Sequence, residues 1–191
     1  MAQTQVKKFT FAEFLDYNTE DSRIELEEGE IIIMPAGSPL HIQIIRFLFT
    51  IIEAYIKANN LPLEIFPGGI GVRTGIRTSR EPDLCILHRE DWEALRKQNP
   101  LSAVVERPPL LVIEVVSPGA VNRERDYHTK RREYAEMGIP EYWIIDPEER
   151  KVTICLLVGQ SYEITEVQKQ TVIRSNLLPK LVLTAEELFD L

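Results

Sequence analysis

Two carboxylates in this sequence stand where an ionised side chain is hard to accommodate. Asp83 opens the apolar run Leu84-Cys85-Ile86-Leu87, and Glu114 is embedded in Leu110-Leu111-Val112-Ile113-Glu114-Val115-Val116. A charge inside a strand buried on both faces carries a large desolvation penalty unless something compensates it. Mg²⁺ compensates well, because it prefers carboxylate oxygen and keeps several of its waters. The structural alternative is that Asp83 turns the chain after Pro82 while Glu114 meets an arginine or a strand end. Two such acids together favour a site.

The stretch from Arg123 to Met137 supplies a second element. Arg123, Arg125, Lys130, Arg131 and Arg132 are interleaved with Glu124, Asp126, Glu133 and Glu136, and Gly138 closes the helix. Most of this reads as a solvated face, with Asp126 and Lys130 as an i,i+4 pair. The helix follows the Glu114 strand after a short loop, so its first turns lie near that strand's C-terminal end. A lysine reaching back from it would orient an attacking water beside two metal-bound carboxylates, the arrangement of metal-assisted hydrolysis. Arg73, Arg77 and Arg80 form a run without an acid until Glu81. Together with Arg125 and the rest of that helix they would make a positive rim for nucleic acid, or else an ordinary loop surface. His41, in the first turn of a helix, reads as capping or packing rather than chemistry. Ser117 has neither a Gly-x-Ser-x-Gly setting nor a partnered histidine, which removes an acyl hydrolase. Tyr142 and Trp143 read as core or dimer contact.

The elements that must position these groups follow from periodicity. Thr10 to Tyr17 predicts a short capped helix, and Arg23 to Met34 a hairpin turning at Glu28-Gly29. Ser38-Pro39 starts a long helix to about Ala58. Strands are expected at Leu61–Phe66, Gly71–Arg77 and Asp83–Leu87, then a surface helix at Asp91–Asn99. The strand Leu110–Val116 is the strongest in the chain. Tyr142–Ile145, Lys151–Leu157, Tyr162–Val167 and Gln170–Ile173 complete a C-terminal meander, and Thr184 caps a terminal helix. The order predicts a mixed α/β domain around one sheet.

At 191 residues, the chain has the length of one domain, and nothing in it marks an internal boundary. The longest apolar runs fall far short of the ~20 residues of a membrane span, so no membrane partner is expected. No secretion signal is visible, and Cys85 and Cys155 read as free thiols of a cytoplasmic protein. The net charge of −8 argues against a protein that coats nucleic acid through global positive charge.

Pro82-Asp83 followed thirty-one positions later by Glu114-Val115-Val116-Ser117-Pro118 resembles the PD-(D/E)XK nuclease motif on its two strands. The surrounding text is similar to the Uma-type branch of restriction-endonuclease-like proteins. It matches at Ile24-Glu25-Leu26 through Gly29-Glu30, at Met34-Pro35 with Ser38-Pro39-Leu40-His41, and at Asp126, Lys130 and Tyr134. Gly138, Glu141-Tyr142-Trp143 and Asp146-Pro147 complete the likeness. The resemblance implies a restriction-endonuclease-like α/β fold over 1–191, with a central mixed sheet flanked by helices. It implies a Mg²⁺- or Mn²⁺-dependent endonuclease acting on DNA, bound weakly or transiently, by a homodimer. Asp83, Glu114 and the Val115 carbonyl would hold the metal, and Glu25 would assist from an earlier element. Where the superfamily carries lysine this chain has Val116, so the lysine moves to Lys130 on the following helix. That departure keeps a second reading open, a catalytically silent nuclease fold serving as a binding or assembly module.

Overall fold

The computed structural model describes residues 7–17 and 23–191. Thr10 caps α1 (Phe11–Leu15) through a reciprocal bond pair with Glu13. The hairpin β1 (Ile24–Glu27) and β2 (Glu30–Ile33) turns at Glu28 and Gly29, both at positive φ (50° and 83°). A two-residue turn with this geometry matches the twist of the paired strands, and glycine meets the second position without steric strain. Ser38 caps α2 (Pro39–Ala58), with proline in its first turn.

Next come β3 (Leu63–Pro67), β4 (Gly71–Gly75), β5 (Thr78–Arg80), β6 (Leu84–His88) and α3 (Arg89–Gln98). The short β7 (Val104–Val105) precedes β8 (Leu111–Val115). The expected charged helix is three joined pieces: α4 (Ala120–Glu124), a π-helical segment (Arg125–Lys130) and α5 (Arg131–Met137). It ends at Gly138, in the left-handed conformation at φ 87°. The strands β9 (Glu141–Asp146), β10 (Lys151–Val158) and β11 (Ser161–Gln168) and the helix α6 (Ala185–Phe189) finish the chain.

Two sheets form rather than one. The larger has the order β11-β10-β9-β8-β6-β3 and is mixed, parallel at β8–β9 and antiparallel elsewhere. The smaller, β2-β1-β5-β4-β7, takes the hairpin and the glycine-rich middle of the chain. Its strands β5 and β7 were not expected, because two or three residues are too few to show alternation. The expected strand Gln170–Ile173 reduces to one bridge, Val172 to Thr184, because its partner is only the segment leading into α6.

Alternation along β8 sorts the core into two layers. Leu111, Ile113 and Val115 pack with Ile44, Leu48 and Ile52 of α2, while Val112 and Val116 join Tyr134, Tyr142 and Ile144. Glu114 shares the parity of Val112 and Val116, so it faces the layer occupied by the helix that follows β8. Leu48 is fully buried, whereas Ile42 on the same helix is 52% exposed. Leu48→Ala is therefore expected to lower stability by about 2–5 kcal/mol, and Ile42→Ala to change it by about 0.5 kcal/mol or less. Urea titration of both variants checks this assignment of the two faces of α2.

Candidate active site

Asp83 precedes β6, and its position is fixed by the strand beside it. Its Oδ2 accepts the backbone N–H of Val115 at 2.8 Å, and its Oδ1 lies 3.2 Å from His41 Nε2 and 3.6 Å from Arg23 Nη1. The proline before it has a definite effect. The register Ile113↔Leu84, carried two residues further, sets Val115 opposite Pro82. Proline has no N–H to donate, so the Val115 carbonyl lacks the ladder partner that any other residue would supply there.

Glu114 Oε1 accepts from Lys130 Nζ and from the Tyr134 hydroxyl, each at 2.8 Å. No described residue donates to its Oε2. Lys130 Nζ also lies 2.9 Å from Glu25 Oε1. Glu25 in turn takes the Glu81 N–H on that oxygen and Arg80 Nη1 on the other, both at 3.1 Å. Arg80 completes the chain by bonding Glu27 and, through two nitrogens, Glu133. Glu25, Arg80, Glu114 and Lys130 are all buried.

Environment separates the acids. Burial pushes the Glu114 carboxyl up to about 7; Lys130 opposes this, and Asp83, Asp126 and Glu25 add to it. For Glu25 burial acts the same way, but the charges of Lys130 and Arg80, with hydrogen bonds from Lys130 and the Glu81 N–H, outweigh it and bring the group down to about 2. Asp83 is also held below its ordinary value, burial being overcome by His41, the Val115 N–H and Lys130. The Lys130 ammonium stays charged between its two carboxylates.

Asp83, Glu114 and Val115 line one cleft with Arg23, His41, Ser117, Asn122 and Arg125, around an opening of about 30 Å³. That is room for one water or one small ion. Among the described residues no three Asp, Glu, His or Cys side chains converge as a ready-made metal cage. The acids that line the opening, Asp83 and Glu114, carry hard carboxylate oxygens. This suits Mg²⁺, which binds through one or two carboxylates and keeps its waters.

The profile of the Uma2 family, described as "Putative restriction endonuclease", matches residues 11–186. The chain belongs to that family. A search of curated proteins returns no match. Among solved structures, the chain is similar to a putative nuclease of the DUF820 group from Anabaena variabilis, with a TM-score of 0.77 and 19% identity. The match covers 95% of this chain and 98% of the other, and at that identity it speaks for the fold. The Uma2 fold explains how β6 and β8, neighbours in one sheet, bring Asp83 and Glu114 to the same opening.

Several residues lie elsewhere than the sequence suggests. Asp126 and Lys130 are buried, not a solvated pair: Asp126 binds the Arg125 guanidinium, and Lys130 turns to Glu114. Both lie in the π-helical segment Arg125–Lys130, and Lys130 meets Tyr134 of α5 at Glu114 Oε1. Lys130 does not line the cleft. Arg80 is 1% exposed with its donors taken by acids, so it presents nothing to nucleic acid. Arg73 is paired with Glu106 and lies over Phe11, and Arg77 bonds the Phe9 carbonyl. Of the four expected nucleic-acid contacts only Arg125 reaches the cleft, held by Asp126 and Asn122. Glu25 serves as a counter-ion behind Lys130 and is not among the cleft residues. His41 was read from the sequence as capping or packing and Arg23 was not singled out; both lie beside Asp83.

The lowered Glu25 pKa has a consequence for stability. Its contribution is fully present above about pH 4.5 and is lost as the pH falls toward 2. Glu25→Gln is expected to lose about 3 kcal/mol at neutral pH. Denaturant titrations across that acid range should show the gap between variant and wild type closing.

Proposed function

We propose that this chain is a divalent-metal-dependent nuclease that hydrolyses DNA phosphodiester bonds in the Asp83–Glu114 cleft. The observation that carries this reading is that Asp83, Glu114 and Val115 of two neighbouring strands line one opening, with Glu114 Oε1 held by Lys130 and Tyr134 and Asp83 Oδ2 by the Val115 N–H. Asp83, Glu114 and the Val115 carbonyl would hold Mg²⁺ or Mn²⁺. Such an ion, when bound, supplies Lewis acidity toward the phosphate and a more acidic water.

The remaining residues prepare that place. The Val115 N–H holds one Asp83 oxygen, and His41 and Arg23 approach the other. Lys130 and Tyr134 both grip Glu114 Oε1, which fixes the carboxylate and leaves Oε2 without a protein donor. Lys130 therefore acts here as a positioning residue, in place of the water-orienting role that the resemblance gives it. Arg125 and Arg23 are the cations at the cleft, where a phosphate's negative charge would be met.

One observation favours the silent-scaffold alternative: the lysine that would face the attacking water is withheld behind Glu114. Cleavage of plasmid and single-stranded DNA in Mg²⁺ or Mn²⁺ decides between the two. The wild type should cut, and Asp83→Asn should abolish cutting while its thermal unfolding stays cooperative. Calorimetry with Mn²⁺ should show Lys130→Met weakening metal binding by about 10- to 100-fold. Tyr134→Phe, which removes only the hydroxyl, should weaken it less. A wild type that neither binds metal nor cuts would leave the scaffold reading standing.

A further inference from the structure

Beside the cleft lies a second, larger hollow that the chemistry above does not use. It encloses about 490 Å³ and is lined by Ile42, Ile45 and Phe49 of α2, by Pro67-Gly68-Gly69, and by Arg23, Arg46, Glu81 and Asp83. The volume is that of a site for a small organic ligand. Arg23, Glu81 and Asp83 line both openings, so the hollow continues the cleft.

Its apolar wall is a second stripe on α2. Ile44, Leu48 and Ile52 enter the core, while Ile42, Ile45 and Phe49 repeat the helical spacing on a neighbouring face. Ile42 is 52% exposed, and the other two are only partly covered. The opposite wall is backbone. Gly68 donates to the Asp83 carbonyl and Gly69 to Glu81 Oε1, which ties this loop to the strand leading into the site. A side chain at Gly69 would meet no atom within 4 Å, so the wall leaves open space. At the rim, Arg46 is exposed and has no acidic partner among the described residues. Arg23 stands between the two openings with its Nε on Glu81 Oε1 at 2.7 Å, and its side chain stays 40% exposed.

We propose that this hollow receives an unpaired nucleobase of the strand being cut, seated against Phe49, while Arg46 and Arg23 meet the phosphates on either side. The proposal rests on the nuclease reading and adds the substrate class, single-stranded or locally unpaired DNA. An apolar hollow with an aromatic wall suits the face of a base, and the two arginines suit a polyanion. Continuity with Asp83 places the occupant within reach of the phosphate in the cleft. A base stacked within a duplex has both faces covered and must leave the stack to enter.

The test is fluorescence anisotropy with a labelled oligothymidine and a labelled blunt hairpin duplex, in EDTA and again with Ca²⁺. The single strand should bind about tenfold more tightly than the duplex. Phe49→Ala and Ile42→Glu should each remove about tenfold of single-strand affinity and leave duplex binding unchanged. Ile42 is exposed, so that variant should keep the wild-type unfolding temperature. Equal binding of both DNAs, or variants that leave single-strand affinity intact, would overturn the base site while the nuclease reading stood. Sedimentation showing a dimer that Ile42→Glu dissociates would assign the hollow to a second copy of the chain and overturn it too. Failure of the wild type to bind or cut any DNA would remove the nuclease reading, and the base site with it.

Discussion

The structure depends on how a carboxylate can sit in the middle of a buried strand. Glu114 is buried and flanked by Val112, Ile113, Val115 and Val116. Lys130 answers this, but a buried lysine raises the same difficulty with opposite sign, so Glu25 and then Arg80 are drawn in. The resulting relay runs from β8 of the large sheet, through the π segment, to β1 and β5 of the small one. Buried ion pairs of this kind add little net stability over apolar packing, yet removing one member leaves an uncompensated charge. Their effect here is geometric: they hold two sheets, joined by little continuous ladder, in one relative position.

The same economy of oxygens recurs at the cleft. Among the described residues, Glu114 gives one oxygen to the scaffold and leaves the other without a donor. Asp83 gives Oδ2 to the Val115 N–H, and among the described residues its Oδ1 is approached by the side chains of His41 and Arg23 alone. The proline before Asp83 removes the one N–H that would have closed the ladder at Val115. Asp83 and Glu114 are thus each held by protein donors on one oxygen, which fixes both carboxylates at the opening.

What could be read from the sequence divides along the same line. Asp83 and Glu114 were legible because a charge in an apolar run is an anomaly visible within seven residues. The hairpin, the long helix α2 and the strand β8 were legible from local period and turn residues. Arg80 was not: its acid partners, Glu25, Glu27 and Glu133, are more than fifty positions away, so a local reading left it on the surface. Lys130 could be named only through the family resemblance. Charge alternation in its helix suggests a solvated face, and no sequence signal marks the π turn that carries it inward. The strands β5 and β7 are shorter than the period that would reveal them.

The charge of the chain then bears on how it can hold a polyanion. With 30 acidic residues against 22 basic ones, counterion release over a broad surface cannot supply the affinity. Most arginines near the site are already committed to acids, as Arg73, Arg80 and Arg123 show. Arg125 and Arg23 are partly committed too, to Asp126 and Glu81, and Arg46 has no acidic partner among the described residues. On the proposed reading, binding would come from terms that do not need many phosphate contacts: inner-sphere coordination at the cleft, and burial of a flat apolar group beside it. Ile42 is an exposed apolar residue beside Ile45 and Phe49, which the core covers only in part. With the proposed base site, a protein that repels DNA at long range would gain from such an apolar face, because its hold on the substrate would depend on a base already free of the helix. Discrimination against intact duplex would then follow without any residue that reads sequence.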